Sequence, residues 1–298
     1  MKHSLKIVLV LISMFLVAQI IGLAVTNVYA GNNDDIPFGM NPPEDVNPSS
    51  SLLSIVFAII FAVILMFILM KFKTEMFLRI WFFVVVCLAL GITLNALFLQ
   101  TPLSNNASSI SIFIAILLAY LKIFKRNFLV HNATELMIYP GIAAIFIPLL
   151  SIPTTIALLI FISIYDIYAV WHAGFMQKMA KYQIKNLKVF SGFFIPYLGK
   201  KEAELIKSTP KNKLKGKKIK INLAILGGGD VVFPIILAGV VLRSWGLASA
   251  LLVTFGAVLG LSYLFYVSKK GKFYPAMPYI TLGCFIGLGI ARLLTYLL

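Results

Sequence analysis

Two aspartates, Asp166 and Asp230, lie within long apolar stretches of the 298-residue chain. An ionisable side chain inside a membrane-spanning segment costs about 2.5–3.5 kcal/mol on insertion scales, so each one requires an explanation. Three consecutive glycines, Gly227–Gly229, immediately precede Asp230. Because glycine has no side chain, such a run permits close backbone approach and weakens a helix locally. The two aspartates are therefore the first candidates for chemistry.

Two carboxyl groups that meet in a low-dielectric site can hydrolyse an amide bond. They cannot both ionise readily, so the pair shares one proton. The carboxylate can activate a water molecule, while the acid protonates the carbonyl oxygen or the leaving amine. This route needs no metal ion, serine or cysteine, and we expect no cofactor. Spacing alone leaves an equal alternative, in which the aspartates bridge helices or bind a cation in a transporter.

The elements that carry these residues are apolar runs of membrane-spanning length. A helix that crosses the hydrocarbon core needs about 20 mostly apolar residues. We therefore predict an all-α, polytopic membrane protein with nine transmembrane helices, folded as a single domain over residues 1–298. The predicted spans are Lys6–Val25, Leu52–Met70, Phe77–Leu99, Ser109–Ile123, Glu135–Leu150, Thr154–His172, Ile221–Leu242, Leu247–Val267 and Tyr274–Leu297.

Composition supports a membrane protein and excludes several other classes. The chain is 60% hydrophobic and 12% charged, whereas soluble proteins carry about 25% charged residues. The net charge of +16 comes from short basic clusters between apolar runs, a pattern typical of membrane topology rather than nucleic-acid binding. Cys87 and Cys284 are expected to be packing residues. His3, His131 and His172 lie too far apart in sequence to suggest a metal site.

The distribution of basic residues predicts the orientation of the chain. Lysine or arginine clusters follow the second, fourth, sixth and eighth spans, including thirteen lysines within Gln177–Lys220, whereas Asn27–Ser51 contains four acidic residues and no basic one. By the positive-inside rule, the N-terminus is cytoplasmic and the C-terminus is outside. Gln177–Lys220 is also rich in glycine and proline, which predicts a partly disordered cytoplasmic loop.

The N-terminal stretch has two interpretations. Lys2 and Lys6, an apolar run and Val28-Tyr29-Ala30 resemble a cleavable signal peptide. The run is about 20 residues long, however, whereas the apolar part of a signal peptide usually has about 7–15. We favour a retained helix; cleavage would leave eight spans in the same orientation.

The depth of each ionisable residue distinguishes the aspartates from the others. Glu135 and Arg292 lie near the ends of their spans and can reach the headgroups or pair locally. Asp166 lies about six residues before the end of its span and Asp230 about nine residues into the next, or roughly 9 and 13 Å at 1.5 Å per residue. Two antiparallel helices thus bring both carboxyls to a similar level.

Three short motifs resemble those of a known family. Tyr165-Asp166, Gly227-Gly228-Gly229-Asp230 and Pro275-Ala276-Met277-Pro278 resemble the YD, GxGD and PAL motifs of the presenilin and signal-peptide-peptidase family. They occur in the family's order, on the expected helices of a nine-span chain, and the combination is similar to archaeal-type homologues. The resemblance implies an intramembrane aspartyl endopeptidase that cleaves transmembrane helices of protein substrates in the bilayer, without accessory subunits.

The same resemblance assigns roles to individual residues. Asp166 and Asp230 correspond to the catalytic pair, and Tyr165 either hydrogen-bonds near the pair or packs as an aromatic residue. The residues implied in substrate binding are Gly227, Gly229, Pro275, Ala276, Met277 and Pro278. The prolines would hold an extended backbone beside a water-filled cavity, where an unwound substrate segment can pair with it as a strand. Met277 departs from the family's leucine by a near volume-conserving change, and Gly228 makes the turn more flexible.

Three alternatives to this protease remain open at the level of sequence. A prepilin or preflagellin peptidase also uses a GxGD aspartate, but has fewer spans and no counterpart to Pro275–Pro278. A transporter or ion-leak pore would use the same aspartates to bind protons or cations. An inactive pseudoenzyme would bind substrates without cleaving them. Asparagine substitutions would distinguish these cases, because a protease would lose cleavage and a carrier would lose flux.

Overall fold

A computed structural model describes residues 5–31, 36–43, 45–72, 74–125, 127–173, 190–198, 221–269 and 274–297. His3 and most of the predicted loop Gln177–Lys220 lie outside these residues. Within them, nine helices are long and apolar enough to cross a membrane. These helices confirm the predicted all-α, polytopic fold. Helices suit a chain in lipid because each one satisfies its own backbone hydrogen bonds.

The helices follow one another along the chain, with a pair of strands between the sixth and seventh. The helices are α1 Leu5–Gly31, α2 Pro48–Lys71, α3 Glu75–Leu99, α4 Ala107–Phe124, α5 Phe128–Phe146, α6 Ile152–Ile167, α7 Gly228–Trp245, α8 Leu247–Val267 and α9 Met277–Leu297. The strands are β1 Gly192–Leu198 and β2 Ile221–Gly227. Short 3-10 turns, Ser104–Asn106 and Ile147–Leu149, precede α4 and follow α5, and a π-helical turn, Tyr168–Ala173, extends α6.

The predicted starts of the fifth and seventh spans differ most from the structure. The fifth helix begins at Phe128 rather than Glu135, because the side chain of Asn127 caps it by accepting a hydrogen bond from the Leu129 N–H at 2.9 Å. The seventh helix begins at Gly228 rather than Ile221, because the apolar residues before it form strand β2. The eighth span, in contrast, begins and ends at its predicted residues.

Helix α7 lies at the centre of the bundle and packs against α1, α5, α6, α8 and α9. Leu11, Phe15 and Ala18 of α1 are fully buried, and Gln19 donates a hydrogen bond from its side chain to the Val231 carbonyl of α7 at 3.1 Å. This packing makes α1 part of the core.

The strands β1 and β2 form an antiparallel pair in which Gly192 lies opposite Gly227 and Leu198 lies opposite Ile221. They join α6 to α7 at the end of the bundle where Lys71 and Lys125 terminate α2 and α4. We call this the lysine-rich end. Because β2 continues directly into α7, the strand pair determines where the first turn of α7 begins.

Helices α8 and α9 approach each other through glycines. A Cβ atom added to Gly256 would lie 2.1 Å from the carbonyl oxygen of Gly283, and one added to Gly283 would lie 2.1 Å from the carbonyl oxygen of Gly256. Gly260 and Gly287 meet backbone of the opposite helix in the same way. Small residues of this kind let membrane helices pack closely, which holds the start of α9 in place.

This contact predicts that alanine substitutions at two glycines of α8 and α9 affect the stability of the protein differently. Gly256→Ala should lower the free energy of unfolding by about 1–3 kcal/mol, because the added methyl group must push two backbones apart. Gly289→Ala is the matched control on α9, since no atom lies within 4 Å of the added Cβ. It should leave stability unchanged or raise it slightly. Thermal unfolding of the purified proteins in detergent measures both, and equal midpoints for the two variants would contradict this packing.

Candidate active site

Asp166 lies in the last turn of α6 and its side chain is buried, with 6% of the residue exposed. Its Oδ2 accepts a hydrogen bond from the backbone N–H of Met277 at 3.0 Å, and the Ala276 N–H also interacts with the carboxyl. Both donors belong to the segment that opens α9. The predicted substrate-binding segment therefore also orients one of the two aspartates.

A side-chain hydrogen bond holds α9 against α6 next to this contact. Ser163 donates from Oγ to Thr281 Oγ1 at 2.9 Å, and both residues are buried. Ser163 lies one turn before Asp166, and Thr281 lies one turn after Met277. Two consecutive contacts between the same helices thus fix the position of the Asp166 carboxyl.

The residues around Met277 form the connection into α9. Pro275 is buried and precedes the helix, Ala276 forms a bend, and Pro278 occupies the first helical turn. Proline is tolerated there because the first backbone N–H groups of a helix have no partner within it. Tyr274–Ala276 are not helical, as expected for an extended segment, but Pro278 belongs to the first turn of α9, so the prediction that it holds an extended backbone is wrong.

Asp230 is partly buried and lies in the first turn of α7. Its carboxyl interacts with the backbone N–H of Gly227, the residue that caps the helix. The N-terminus of a helix also carries partial positive charge, which favours a carboxyl group there. The predicted depth of Asp230, nine residues into a helix, is wrong, because Ile221–Gly227 form β2 and the helix begins only at Gly228.

The three glycines before Asp230 have different surroundings. A Cβ on Gly227 would lie 3.1 Å from Asp230 Oδ2 and would displace the carboxyl. A Cβ on Gly228 would lie 2.9 Å from both Ser191 Oγ and Tyr139 Cε1, so no side chain fits. A Cβ on Gly229 would meet only Phe233, at 3.6 Å. Gly228 is therefore required by packing within the protein, Gly227 leaves room for the Asp230 carboxyl in its present position, and Gly229 is not required by packing.

The structure brings the two aspartates together. The carboxyl of Asp230 lies within electrostatic reach of that of Asp166, although 64 residues separate them in sequence. Tyr165 is partly buried beside Asp166, and its role stays a prediction. Arg292 lies away from the pair, with its guanidinium 5.3 Å from the ring centre of Trp245.

A buried charged cluster on α4 and α5 was not predicted as part of the site. Glu135 is 1% exposed and its Oε1 accepts a hydrogen bond from Lys122. Lys122 Nζ also lies 3.3 Å from His131 Nδ1. Because an ammonium group can only donate, this ring nitrogen must accept, so His131 is in the neutral form that carries its proton on Nε2. Of the two predicted roles of Glu135, local pairing is confirmed and access to the headgroups is wrong.

Helix α5 uses neighbouring side chains to hold strand β1. His131 Nε2 donates to the Gly192 carbonyl at 2.9 Å. The side chain of Asn132 accepts from the Phe194 N–H at 3.2 Å and donates to the Phe194 carbonyl at 3.0 Å. These contacts occupy the outer edge of β1. A signal for them existed in the sequence, since polar residues at 131, 132 and 135 interrupt an apolar helix.

Comparisons with known proteins identify the family and support the fold. The family model described as signal-peptide peptidase, presenilin aspartyl protease matches residues 12–296. A solved structure of a presenilin family intramembrane aspartate protease in space group C222 has a TM-score of 0.62 and 18% sequence identity, and the alignment covers 96% of this chain and 99% of that one. A structure of a presenilin family intramembrane aspartate protease in space group P2 has a TM-score of 0.60 and 17% identity, with 95% and 96% covered. No curated protein matches the chain.

Proposed function

Because the chain belongs to the signal-peptide peptidase and presenilin family of aspartyl proteases, we propose that Asp166 and Asp230 are its catalytic pair. The protein is an intramembrane aspartyl protease, and the transporter has no comparable support. The observation that carries the assignment is the position of the two carboxyls, within electrostatic reach of each other at the end of α6 and the start of α7, with the backbone N–H of Met277 on Asp166. The lone proton of such a pair gives it one acid and one base.

The chemistry follows from that shared proton. The ionised carboxyl takes a proton from a water molecule, whose oxygen attacks the carbonyl carbon of the scissile bond. The protonated carboxyl gives its proton to the carbonyl oxygen, which produces a neutral tetrahedral intermediate. The intermediate collapses when the carboxyl that took the water proton gives it to the amide nitrogen, the other carboxylate removes a proton from one hydroxyl of the intermediate, and the carbon–nitrogen bond breaks. The two carboxyls end the cycle with one proton between them, as they began.

We further propose that the free edge of β2 binds the substrate as an added strand. Both backbone polar groups of Phe194 bond to Asn132, so this residue faces the outer edge of β1. In an antiparallel ladder, its partner Ile225 must then direct its own N–H and C=O away from β1. Leu223, two residues earlier, has the same orientation. Four backbone groups are therefore available to an unwound substrate a few residues before Asp230.

The side chains of β2 are consistent with this assignment. Ala224 and Leu226 are buried, whereas Leu223 and Ile225 are 43% and 41% exposed. The strand thus packs one face on the core and leaves apolar side chains open on the other face. Gly229, which has space around its Cα, and Ala276, which is partly buried at the opening of α9, would flank the same substrate segment.

The substitution Ile225→Pro tests whether the free edge of β2 binds the substrate as an added strand. It removes one outward N–H and leaves the β1–β2 ladder in place, because that N–H does not bond to β1. We expect kcat/KM to fall about tenfold, the equivalent of losing one good hydrogen bond of about 1.5 kcal/mol, while the thermal midpoint is unchanged. Ile225→Val is the control, since it keeps the N–H and the apolar side chain. Equal kcat/KM values for the two variants would argue against strand addition at this edge.

The orientation of the protein bears on which substrates it takes. The alternation of basic and non-basic connections supports a cytoplasmic N-terminus and an extracytoplasmic C-terminus. The lysine-rich end, the strand pair and the catalytic pair would then face the cytoplasmic half of the bilayer. We propose that this arrangement selects substrates whose N-terminus is outside, and that the single chain acts without accessory subunits.

The activity is tested with purified wild-type protein in liposomes that contain a fluorescent single-span substrate. We expect cleavage within the span, identified by the masses of the products, and faster cleavage of the substrate inserted with its N-terminus on the outer side. Equal rates for both substrate orientations would refute the proposed orientation preference. Absence of cleavage across several substrates, together with ion flux that depends on Asp166 and Asp230, would refute the assignment of these residues to proteolysis.

A further inference from the structure

Tyr139 on α5 is the bulkiest of the fully buried side chains, with 0% of its surface exposed. Its hydroxyl makes no hydrogen bond of good geometry with any residue that the structure describes. A buried hydroxyl whose hydrogen bonds are poorly formed adds little to stability, so phenylalanine would serve nearly as well on stability grounds. The hydroxyl therefore requires an explanation other than packing.

Three polar groups surround this hydroxyl. The carboxyl of Glu135 and the hydroxyl of Ser191 lie close enough to it for weak hydrogen bonds of poor geometry, and the carboxyl of Asp230 acts on it electrostatically. Glu135 Oε2 is a second buried atom that has no partner within the described part of the chain. Two buried polar atoms without a well-formed hydrogen bond thus lie in the same small region, next to the hydroxyl of the exposed residue Ser191.

This region borders the turn that carries Asp230. Ser191 Oγ and the Tyr139 hydroxyl oxygen lie 2.9 and 3.2 Å from the point that a Cβ of Gly228 would occupy. The ring of Tyr139 also packs edge-on against Phe193 of β1, with 5.3 Å between ring centres. A single side chain of α5 therefore contacts both the strand pair and the glycine two residues before the aspartate.

Tyr139 also ends a polar stripe on α5. His131, Glu135 and Tyr139 are spaced four residues apart and so lie on one face of the helix. Lys122 neutralises Glu135 through Oε1, and His131 binds the Gly192 carbonyl of β1. The stripe runs from the lysine-rich end of the bundle to the first turn of α7.

We propose that Tyr139 is a positioning residue for Asp230, through one ordered water molecule held by the Tyr139 hydroxyl, Glu135 Oε2 and Ser191 Oγ beside Gly228. Three polar partners suffice to hold a buried water, and the water would satisfy both buried atoms. The water would bond α5 to the segment next to the glycine turn and so limit the directions that the Asp230 carboxyl can take. This proposal rests on the assignment of Asp230 as a catalytic residue.

Tyr139→Phe tests the proposal in the full-length protein with the single-span substrate. Since Tyr139 is fully buried and cannot touch the substrate, we expect an unchanged KM. We expect kcat to fall about tenfold, because a small displacement of a catalytic group can cost up to about 100-fold. The affinity for a peptide with a hydroxyl-bearing carbon in place of the scissile carbonyl should weaken by a similar factor. The thermal midpoint should fall only slightly, because one buried hydrogen bond is lost while the packing of the ring is kept.

Thr254→Val is the matched control. Thr254 on α8 is buried and its hydroxyl also lacks a partner among the described residues, but it is not part of the polar stripe on α5. This variant should keep wild-type kcat and KM. Ser191→Ala, which removes a second of the proposed water partners, should lower kcat in the same way as Tyr139→Phe.

Three results would overturn the proposal in distinguishable ways. A wild-type kcat for Tyr139→Phe, in an enzyme that Asp230→Asn inactivates, would refute the positioning role and keep the catalytic pair. Cleavage that persists in Asp230→Asn would refute the assignment of Asp230 and the positioning role together. A fall in kcat shared equally by Thr254→Val would also refute it, because the effect would then follow from losing any buried hydroxyl.

Discussion

Asp166→Asn and Asp230→Asn should each lower the rate of cleavage by about 10³-fold, within the range that general acid–base catalysis contributes. An amide can neither take a proton from water nor supply one to the carbonyl oxygen at neutral pH. Asparagine has nearly the volume of aspartate, and its carbonyl oxygen can still accept the Met277 N–H that Asp166 accepts. The loss should therefore appear in kcat, with the thermal midpoint preserved.

The assay is cleavage of the fluorescent single-span substrate by each purified variant. Asp45→Asn makes the same chemical change at an exposed position outside the helices, and should cleave at the wild-type rate. The double variant Asp166→Asn, Asp230→Asn should be no slower than either single one, because residues that act as a unit are not additive. Substantial activity in either single variant would rule out a two-carboxyl mechanism.

The second large effect concerns stability rather than catalysis. Glu135→Leu should lower the free energy of unfolding by about 3–5 kcal/mol, because it leaves the ammonium group of Lys122 buried without a counter-charge. Lys122 and Glu135 expose only 3% and 1% of their side chains, so neither can reach water without local unfolding. Removing one member of the pair is thus expected to lower the free energy of unfolding more than replacing both members.

The double variant Lys122→Met, Glu135→Leu checks that reasoning. It should recover most of the lost stability, since two apolar residues can replace a buried ion pair at little cost. Lys125→Met is the control, because Lys125 is exposed at the end of the same helix. Thermal unfolding in one detergent compares all four proteins. A double variant as unstable as Glu135→Leu would contradict the view that an unpaired charge is the cause.

The sequence predicted the spans and the catalytic candidates because both depend on strong, local signals. Apolar runs of about 20 residues identify membrane helices by length alone, and α8 has the predicted ends. Asp166 and Asp230 were identified because a carboxyl group in such a run is costly. In both cases the physical reason lies within a single segment of the chain.

Strand β2 could not be predicted in this way. Ile221–Gly227 is a continuous apolar run that leads directly into α7, and periodicity does not distinguish a buried strand from a helix in such a run. The side chains that alternate between buried and exposed, Ala224 and Ile225 for example, are both apolar. Only pairing with β1, 29 residues earlier at Gly192–Leu198, distinguishes the strand.

Tyr139 and Lys122 illustrate a second limit of prediction from sequence, which concerns the roles of individual side chains. A tyrosine in an apolar helix is ordinarily a packing residue, and a lysine near the end of a span ordinarily reaches the headgroups. Their roles depend on Gly228 and Glu135, which other helices bring beside them. The sequence does contain the four-residue spacing of His131, Glu135 and Tyr139, but it does not show which helix faces that stripe.

The open edge of β2 has a consequence for selectivity. An incoming strand would be recognised there through its N–H and C=O groups, which every residue except proline carries alike. Recognition of this kind hardly distinguishes one side chain from another. Selection among substrates would then depend on the free energy required to unwind a helix in the bilayer, which is lowest where glycine or proline already weakens it. The protease would then select a span by how readily its helix unwinds, rather than by the identity of the residues at the cleaved bond.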